Sequence, residues 1–148
     1  MYKRILVPTD GTERAAVALD TALRLAQAGG GSIVGVHAAG NGTGGASAHA
    51  HGARRHRRHA QAADIDPPDN DALAYVERRA READVPCTTV LVGAAPHDAI
   101  IRAARDHLCD LIVMTMRGRP GLAGRLLAST TQRVLADSAI PVLVVRAP

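Results

Sequence analysis

Five short runs of β-branched and aliphatic residues divide the chain, and each run predicts a strand. The runs are apolar at nearly every position, as in Leu111-Ile112-Val113-Met114, and they do not alternate with polar residues. Strands that are covered on both faces have this pattern, so the sequence predicts a parallel sheet. The predicted strands are residues 4–7, 32–37, 88–92, 111–115 and 142–145.

Apolar residues recur at steps of three and four in the intervals between these strands, and each interval predicts a helix with one apolar face. Pro96 suits the first turn of the third helix, and the fourth ends before Pro141. Strands that alternate with helices predict a doubly wound α/β sandwich, in which ligands bind at the carboxyl ends of the strands. The predicted helical residues are Ala15, Leu19, Ala22, Leu23 and Ala26; Leu73, Val76, Ala80 and Ala83; Ile101, Ala104 and Leu108; and Leu127, Val134 and Leu135.

The length of 148 residues predicts a single domain over residues 1–148. Residues 40–68 are rich in Gly, Ala, His and Arg without periodicity, which predicts a mobile loop within that domain. No apolar run approaches the roughly 20 residues of a membrane helix, and the first residues do not have the pattern of a secretory signal. We therefore expect a cytoplasmic protein that does not bind membranes.

The net charge of +4 comes from one short run, Arg54, Arg55, Arg57 and Arg58. Two tyrosines without any Phe or Trp leave few aromatic rings for stacking on bases, which argues against nucleic-acid binding. A phosphate-rich partner for the arginine run stays an alternative. The neighbouring His49, His51, His56 and His59 would form a poor metal site beside so much positive charge, and a solvated loop is the favoured interpretation.

Several kinds of catalytic site are excluded by the sequence. Lys3 is the only lysine, so the chain has no Walker A loop. It has no G-x-S-x-G elbow, and nothing pairs Cys87 or Cys109 with a histidine, so we expect buried free thiols. Either His37 or His97 could line a pocket, and a structural role is the favoured interpretation for both. We therefore expect a protein that is not an enzyme.

A carboxylate follows the first predicted strand. Asp10 would lie at the carboxyl edge of the sheet, where it could accept hydrogen bonds from amino or hydroxyl groups of a ligand. Asp10 with Glu13 also resembles a helix-capping pair, and Thr12 could cap the helix instead. From the spacing alone, a capping role for Asp10 is favoured.

Residues 115–132 follow the fourth predicted strand and are rich in glycine and arginine. Backbone amides beside Gly118 and Gly121 could approach an anion, and Arg117, Arg119 and Arg125 would add positive charge. The stretch Ser129-Thr130-Thr131-Gln132 also has the S-x-x-Q form of a capping box. The anion-site and capping interpretations are evenly balanced.

Six motifs occur in order and at suitable spacing along the chain. They are Ile5-Leu6-Val7-Pro8-Thr9-Asp10-Gly11-Thr12, Val36-His37, Val92-Gly93 with Ala99-Ile100, Asp110-Leu111-Ile112-Val113-Met114, residues 118–129 and Pro141-Val142-Leu143-Val144-Val145. Together they resemble the universal stress protein family of the UspA type over essentially the whole chain outside residues 40–68. The resemblance implies a five-stranded parallel sheet in the order 3-2-1-4-5, the Rossmann-like three-layer sandwich of the adenine nucleotide alpha-hydrolase-like fold.

The resemblance further implies an adenine nucleotide, ATP with Mg²⁺, as the ligand. The nucleotide motif of the family is G-x-x-G with a later glycine before Ser or Thr, and two of its three glycines are here Thr115 and Ala128. By resemblance, Asp10 would recognise the base or ribose, amides of Gly118 and Ser129 would hold phosphate, and Arg117 or Arg119 would neutralise charge. The implied site residues are Pro8, Thr9, Asp10, Ala38, Met114, Thr115, Arg117, Gly118, Gly121, Ala128, Ser129 and Thr130.

The family also implies a homodimer formed through the last strand, at Val142, Leu143, Val144 and Val145. An apolar edge strand that pairs across a two-fold axis satisfies its exposed backbone groups. The resulting hypothesis is a stress-response binding or regulatory module. The alternatives are a nucleotide-independent dimer that contacts an unidentified protein partner, and a slow ATP hydrolase.

Overall fold

The computed structural model describes residues 1–39, 67–116 and 130–146, in which five strands lie between two layers of helices. Helix α2 begins at Pro67, inside the predicted loop 40–68, and residues 40–66 lie outside the described ranges. The elements are β1 (Arg4–Pro8), α1 (Glu13–Gly29), β2 (Ser32–Ala38), α2 (Pro67–Glu82), β3 (Cys87–Val92), α3 (Pro96–Asp106), β4 (Leu111–Thr115), α4 (Thr130–Asp137) and β5 (Val142–Val145).

The strands form one sheet in the order β3-β2-β1-β4-β5, and every pairing is parallel. In the central strand, Ile5 lies opposite Ile33 of β2 on one side and Leu111 of β4 on the other. The predicted strands and sheet order are confirmed, and β1, β2 and β3 are each one residue longer than predicted. The order reverses between β1 and β4, which is where α/β sheets of this kind bind ligands.

Alternate residues of the strands face two separate apolar cores. Ile5 and Val7 of β1 pack against α1 and α2 on one face of the sheet, whereas Leu6 faces α3 and α4 on the other. All three residues are fully buried. Because helices cover both faces, the strands need apolar residues at consecutive positions, and this requirement explains the continuous apolar runs in the sequence.

Helix α2 lies very close to β2 at Gly35. A Cβ atom added to Gly35 would lie 2.9 Å from Cγ1 of the fully buried Val76. Any larger residue would push α2 away from the sheet, so close backbone approach accounts for glycine in this strand.

Helix α1 has well-defined ends. Thr12 is the N-cap, and Gly30 follows the last turn in the left-handed conformation with φ 60°. The N–H of Gly31 donates to the carbonyl of Ala26 at 2.8 Å, as in a Schellman motif. Within the described ranges, no helix combines the length and apolar character needed to cross a membrane.

The predicted apolar face of the third helix is wrong at Leu108. Helix α3 ends at Asp106, and Leu108 lies beyond it in the left-handed conformation with φ 52° and 79% of its surface exposed. The chain turns there to enter β4, so the four-residue step from Ala104 to Leu108 no longer follows a helix. The buried residues of α3 are Ala99, Ile100, Ala103 and Ala104.

Candidate functional site

The carboxyl ends of β1, β2 and β4 lie side by side at one edge of the sheet, because β1 pairs with both neighbours. This edge carries seven of the residues predicted for the site: Pro8, Thr9, Asp10, Ala38, Met114, Thr115 and Thr130. The other predicted site residues lie outside the described ranges; they are Arg117, Gly118, Gly121, Ala128 and Ser129. The arginine run of residues 54–58 and its neighbouring histidines also lie outside these ranges.

Thr9 joins the loop after β1 to the neighbouring strand. Its N–H donates to the carbonyl of Val36 at 2.8 Å, and its Oγ1 accepts from the N–H of Gly11 at 3.3 Å. Thr9 is buried, and Gly11 has φ 75°, a left-handed conformation that glycine adopts without strain. These contacts fix the path of the chain from β1 into α1.

Asp10 is exposed, and hydrogen bonds hold its carboxylate within the loop. Its Oδ1 accepts from the N–H of Thr12 at 3.1 Å and from the Thr12 hydroxyl at 2.5 Å. Thr12 Oγ1 in turn accepts from the N–H of Ala15 at 3.3 Å, so Thr12 is the N-cap. The prediction that Asp10 caps the helix is therefore wrong, because Asp10 lies two residues too early and orients the capping hydroxyl instead.

His37 connects the end of β2 to the same loop. Its Nδ1 lies 2.6 Å from the carbonyl oxygen of Thr9. A carbonyl oxygen can only accept, so Nδ1 must carry the proton and donate it. His37 therefore has a backbone partner in the loop after β1, and that partner could not be identified from the sequence.

The other wall of this edge consists of β4 and the start of α4. The buried Thr131 donates from its hydroxyl to the carbonyl of Thr115 at 3.0 Å. Thr115 lies opposite Val145 in the sheet, and among the described residues other than glycine only Asp84 and Leu108 have positive φ. A β-branched residue in place of the family's first glycine is therefore unstrained in this backbone.

Thr131 was not among the predicted site residues. The signal available in the sequence was a hydroxyl residue in the first turn of a helix that directly follows the glycine-rich stretch. The sequence assigns no role to that hydroxyl, and the structure shows that it links α4 to the end of β4.

Neither cysteine has the properties of a nucleophile. Cys87 and Cys109 are free, Cys109 is buried and Cys87 is partly buried. Burial is the main reason that the pKa of each thiol is raised to about 11, so both are protonated at neutral pH. Within the described ranges, no three His, Cys, Asp or Glu side chains come together as a metal site.

Residues 1–146 match the model of the universal stress protein family. Universal stress protein MJ0531 of Methanocaldococcus jannaschii is 37% identical over 78 residues, which is 53% of this chain and 46% of that protein. The chain thus matches less than half the length of this curated relative.

Solved structures resemble the chain over nearly its whole length. The crystal structure of a universal stress protein in complex with cAMP has a TM-score of 0.74 and 26% identity, and the match covers 98% of this chain and 97% of that one. The universal stress protein from Archaeoglobus fulgidus in complex with dAMP has a TM-score of 0.67 and 19% identity, with 97% of each chain covered. At that identity, the second likeness shows the fold alone.

Proposed function

The chain belongs to the universal stress protein family, and we propose that it binds an adenine nucleotide at the carboxyl edge of its sheet, between the ends of β1 and β4. Binding there would let the protein act as a nucleotide-responsive module in a stress response. The observation that carries the proposal is Asp10, an exposed carboxylate held by its own loop at the point where the strand order reverses.

The chemistry of this edge suits a nucleoside. A carboxylate accepts hydrogen bonds from ribose hydroxyls or from the exocyclic amine of adenine, and charge strengthens such bonds. Asp10 is already oriented by Thr12, so little conformational entropy is lost when a ligand binds. The family structure that holds cAMP supports an adenine nucleotide as the ligand class.

ATP with Mg²⁺ is the form of the ligand that we propose to test first. The described residues bring no set of three metal-ligating side chains to this edge. Mg²⁺ commonly keeps several waters and is bound through phosphate oxygens with one or two carboxylates, and Asp10 could supply one carboxylate. The amides and arginines of residues 117–129 are the proposed phosphate ligands by resemblance.

We also propose that the protein forms a homodimer through β5. This strand pairs with β4 and lies at the edge of the described sheet. Its apolar sequence includes Leu143, which is 38% exposed. Pairing with a second copy would satisfy the backbone groups of this edge and cover its apolar side chains.

Calorimetric titration of ligand-stripped protein with ATP and Mg²⁺, AMP and cAMP tests the nucleotide site. We expect saturable binding of at least one of these nucleotides, and we expect Asp10→Ala to weaken it about tenfold or more, because a charged hydrogen bond contributes about 1.5–3 kcal/mol. Asp10→Asn retains one oxygen acceptor and should lose less. Glu13→Gln is the matched control, since it removes the next carboxylate along the chain, at the start of α1, and should leave affinity unchanged.

Other outcomes would support the alternatives. If no nucleotide binds at any practical concentration while the protein is dimeric by sedimentation, the chain acts through protein contacts alone. If ATP is consumed with Mg²⁺ and Asp10→Ala abolishes that turnover, the chain is a slow hydrolase.

A further inference from the structure

We infer that His37 is a positioning residue of the nucleotide site, which links the two strand ends that would contact the nucleoside. The inference rests on the proposed function. The link is the hydrogen bond from Nδ1 of His37 to the carbonyl of Thr9, at 2.6 Å.

The two residues joined by this hydrogen bond each directly precede a proposed ligand contact. Thr9 directly precedes Asp10, and His37 directly precedes Ala38, which ends β2. One hydrogen bond therefore joins the residues immediately before two residues proposed to contact the ligand. It fixes the orientation of the Thr9–Asp10 peptide group and the separation between the loop after β1 and the end of β2.

Two hydrogen bonds hold Thr9 against β2. Its N–H donates to the carbonyl of Val36 at 2.8 Å. Its carbonyl, which lies beyond the end of β1 at Pro8, accepts from the side chain of His37. His37 supplies from its side chain the donor that a continuing strand would supply from its backbone.

The bond also determines the chemical form of the imidazole ring. Because Thr9 offers only an acceptor, the neutral ring must carry its proton on Nδ1, and Nε2 is then an acceptor. This tautomer can be observed without any nucleotide. Nitrogen-15 NMR of the imidazole groups at a pH where the ring is neutral should show His37 protonated at Nδ1, and protonation at Nε2 alone would overturn the inference.

Three substitutions separate the role of the donor from the volume of the ring. Asparagine carries its amide nitrogen as many bonds from Cα as Nδ1, whereas glutamine carries it as far out as Nε2. We expect His37→Ala and His37→Gln to weaken AMP binding about tenfold, the scale of one hydrogen bond, and His37→Asn to stay within about threefold of wild type. His107→Asn, beyond the end of α3 at the opposite edge of the sheet, is the matched control and should bind AMP as wild type does.

The outcomes distinguish the inference from the proposed function. If the wild-type protein binds no AMP, ATP or cAMP, the proposed function fails and His37 has no ligand site to position, whichever tautomer is seen. If the wild type binds and His37→Ala binds equally well, only the positioning role is overturned. Equal losses in His37→Asn and His37→Ala would also overturn it, because the Nδ1 donor would then not be what matters. Should His37→Ala fail to fold, the asparagine and glutamine variants decide the question.

Discussion

The two edges of the sheet each contain an aspartate that accepts backbone hydrogen bonds, and the two aspartates act over very different ranges. At the carboxyl edge, Asp10 binds Thr12, two residues away. At the amino edge, Asp110 accepts from the N–H of Lys3 at 2.7 Å and from that of Arg4 at 3.0 Å, across more than one hundred residues.

The amino edge also contains further long-range bonds. The N–H of Asp110 donates to the carbonyl of Arg4 at 2.9 Å, and the Arg4 guanidinium donates to the carbonyl of His107 at 3.0 Å. Lys3 reaches the end of α1 through its Nζ, which donates to the carbonyl of Gly29 at 2.8 Å. The difference teaches that the same chemical group joins distant parts of the chain at one edge and orders only its own loop at the other.

The largest expected effect is on stability at the amino edge. Asp110→Ala removes a charged acceptor from two backbone N–H groups and should lower the free energy of unfolding by about 1.5–2 kcal/mol. Asp10→Ala should cost only about 0.5 kcal/mol, because the hydrogen bonds of Asp10 to Thr12 are local and exposed. Urea denaturation of both variants measures the difference, with Asp137→Ala as a control near wild type. If Asp10→Ala lowers the free energy of unfolding more than Asp110→Ala does, the proposed difference between the two edges is wrong.

A smaller effect should follow from removal of the helix cap beside Asp10. Thr12→Ala loses the hydroxyl that accepts from Ala15 and should destabilise the protein by about 1 kcal/mol. Thr12→Ser keeps the hydroxyl and should lie within about 0.3 kcal/mol of wild type. Thermal unfolding of the pair measures this, and equal losses in both variants would show that the methyl group, not the cap, is responsible.

The smallest expected effect is a pH dependence confined to the amino edge. Burial tends to raise the pKa of Asp110, but the hydrogen bonds from Lys3 and Arg4 outweigh it, and the pKa lies below its ordinary value of 3.8. The carboxylate's contribution to stability is thus complete well above pH 3.8 and is lost as the pH falls through the lowered pKa. The stability difference between wild type and Asp110→Asn should therefore shrink in acid, as denaturation at several pH values would show. If the stability difference between the two proteins stays constant from neutral pH into acid, the hydrogen bonds from Lys3 and Arg4 do not lower the pKa of Asp110.

The strands and most helical faces could be predicted because they depend on local patterns. Both faces of each central strand are covered, which makes the apolar runs unmistakable, and residues such as Leu19 and Val76 repeat at helical spacing. The end of α3 could not be predicted in the same way. The exposed Leu108 continues the helical spacing, and only the turn into β4 removes it from the helix.

The placement of the candidate site residues could be predicted in part. Asp10 and the ends of β2 and β4 could be assigned through the family resemblance, and the described residues lie at one edge as expected. The capping role was assigned to the wrong residue, since Asp10 and Thr12 both fit the spacing and only backbone geometry distinguishes them. The bonds of His37 and Thr131 to backbone carbonyls could not be predicted, because carbonyl partners carry no sequence signal.

The long span of the Asp110 bonds also has a consequence for the order of folding. A contact between residues 3 and 110 closes nearly three quarters of the chain into a loop, whereas the Asp10 turn can form as soon as its own segment is present. The amino edge should therefore close after the transition state. We expect Asp110→Ala to accelerate unfolding and to leave the refolding rate nearly unchanged, so that only the unfolding arm of a stopped-flow chevron moves.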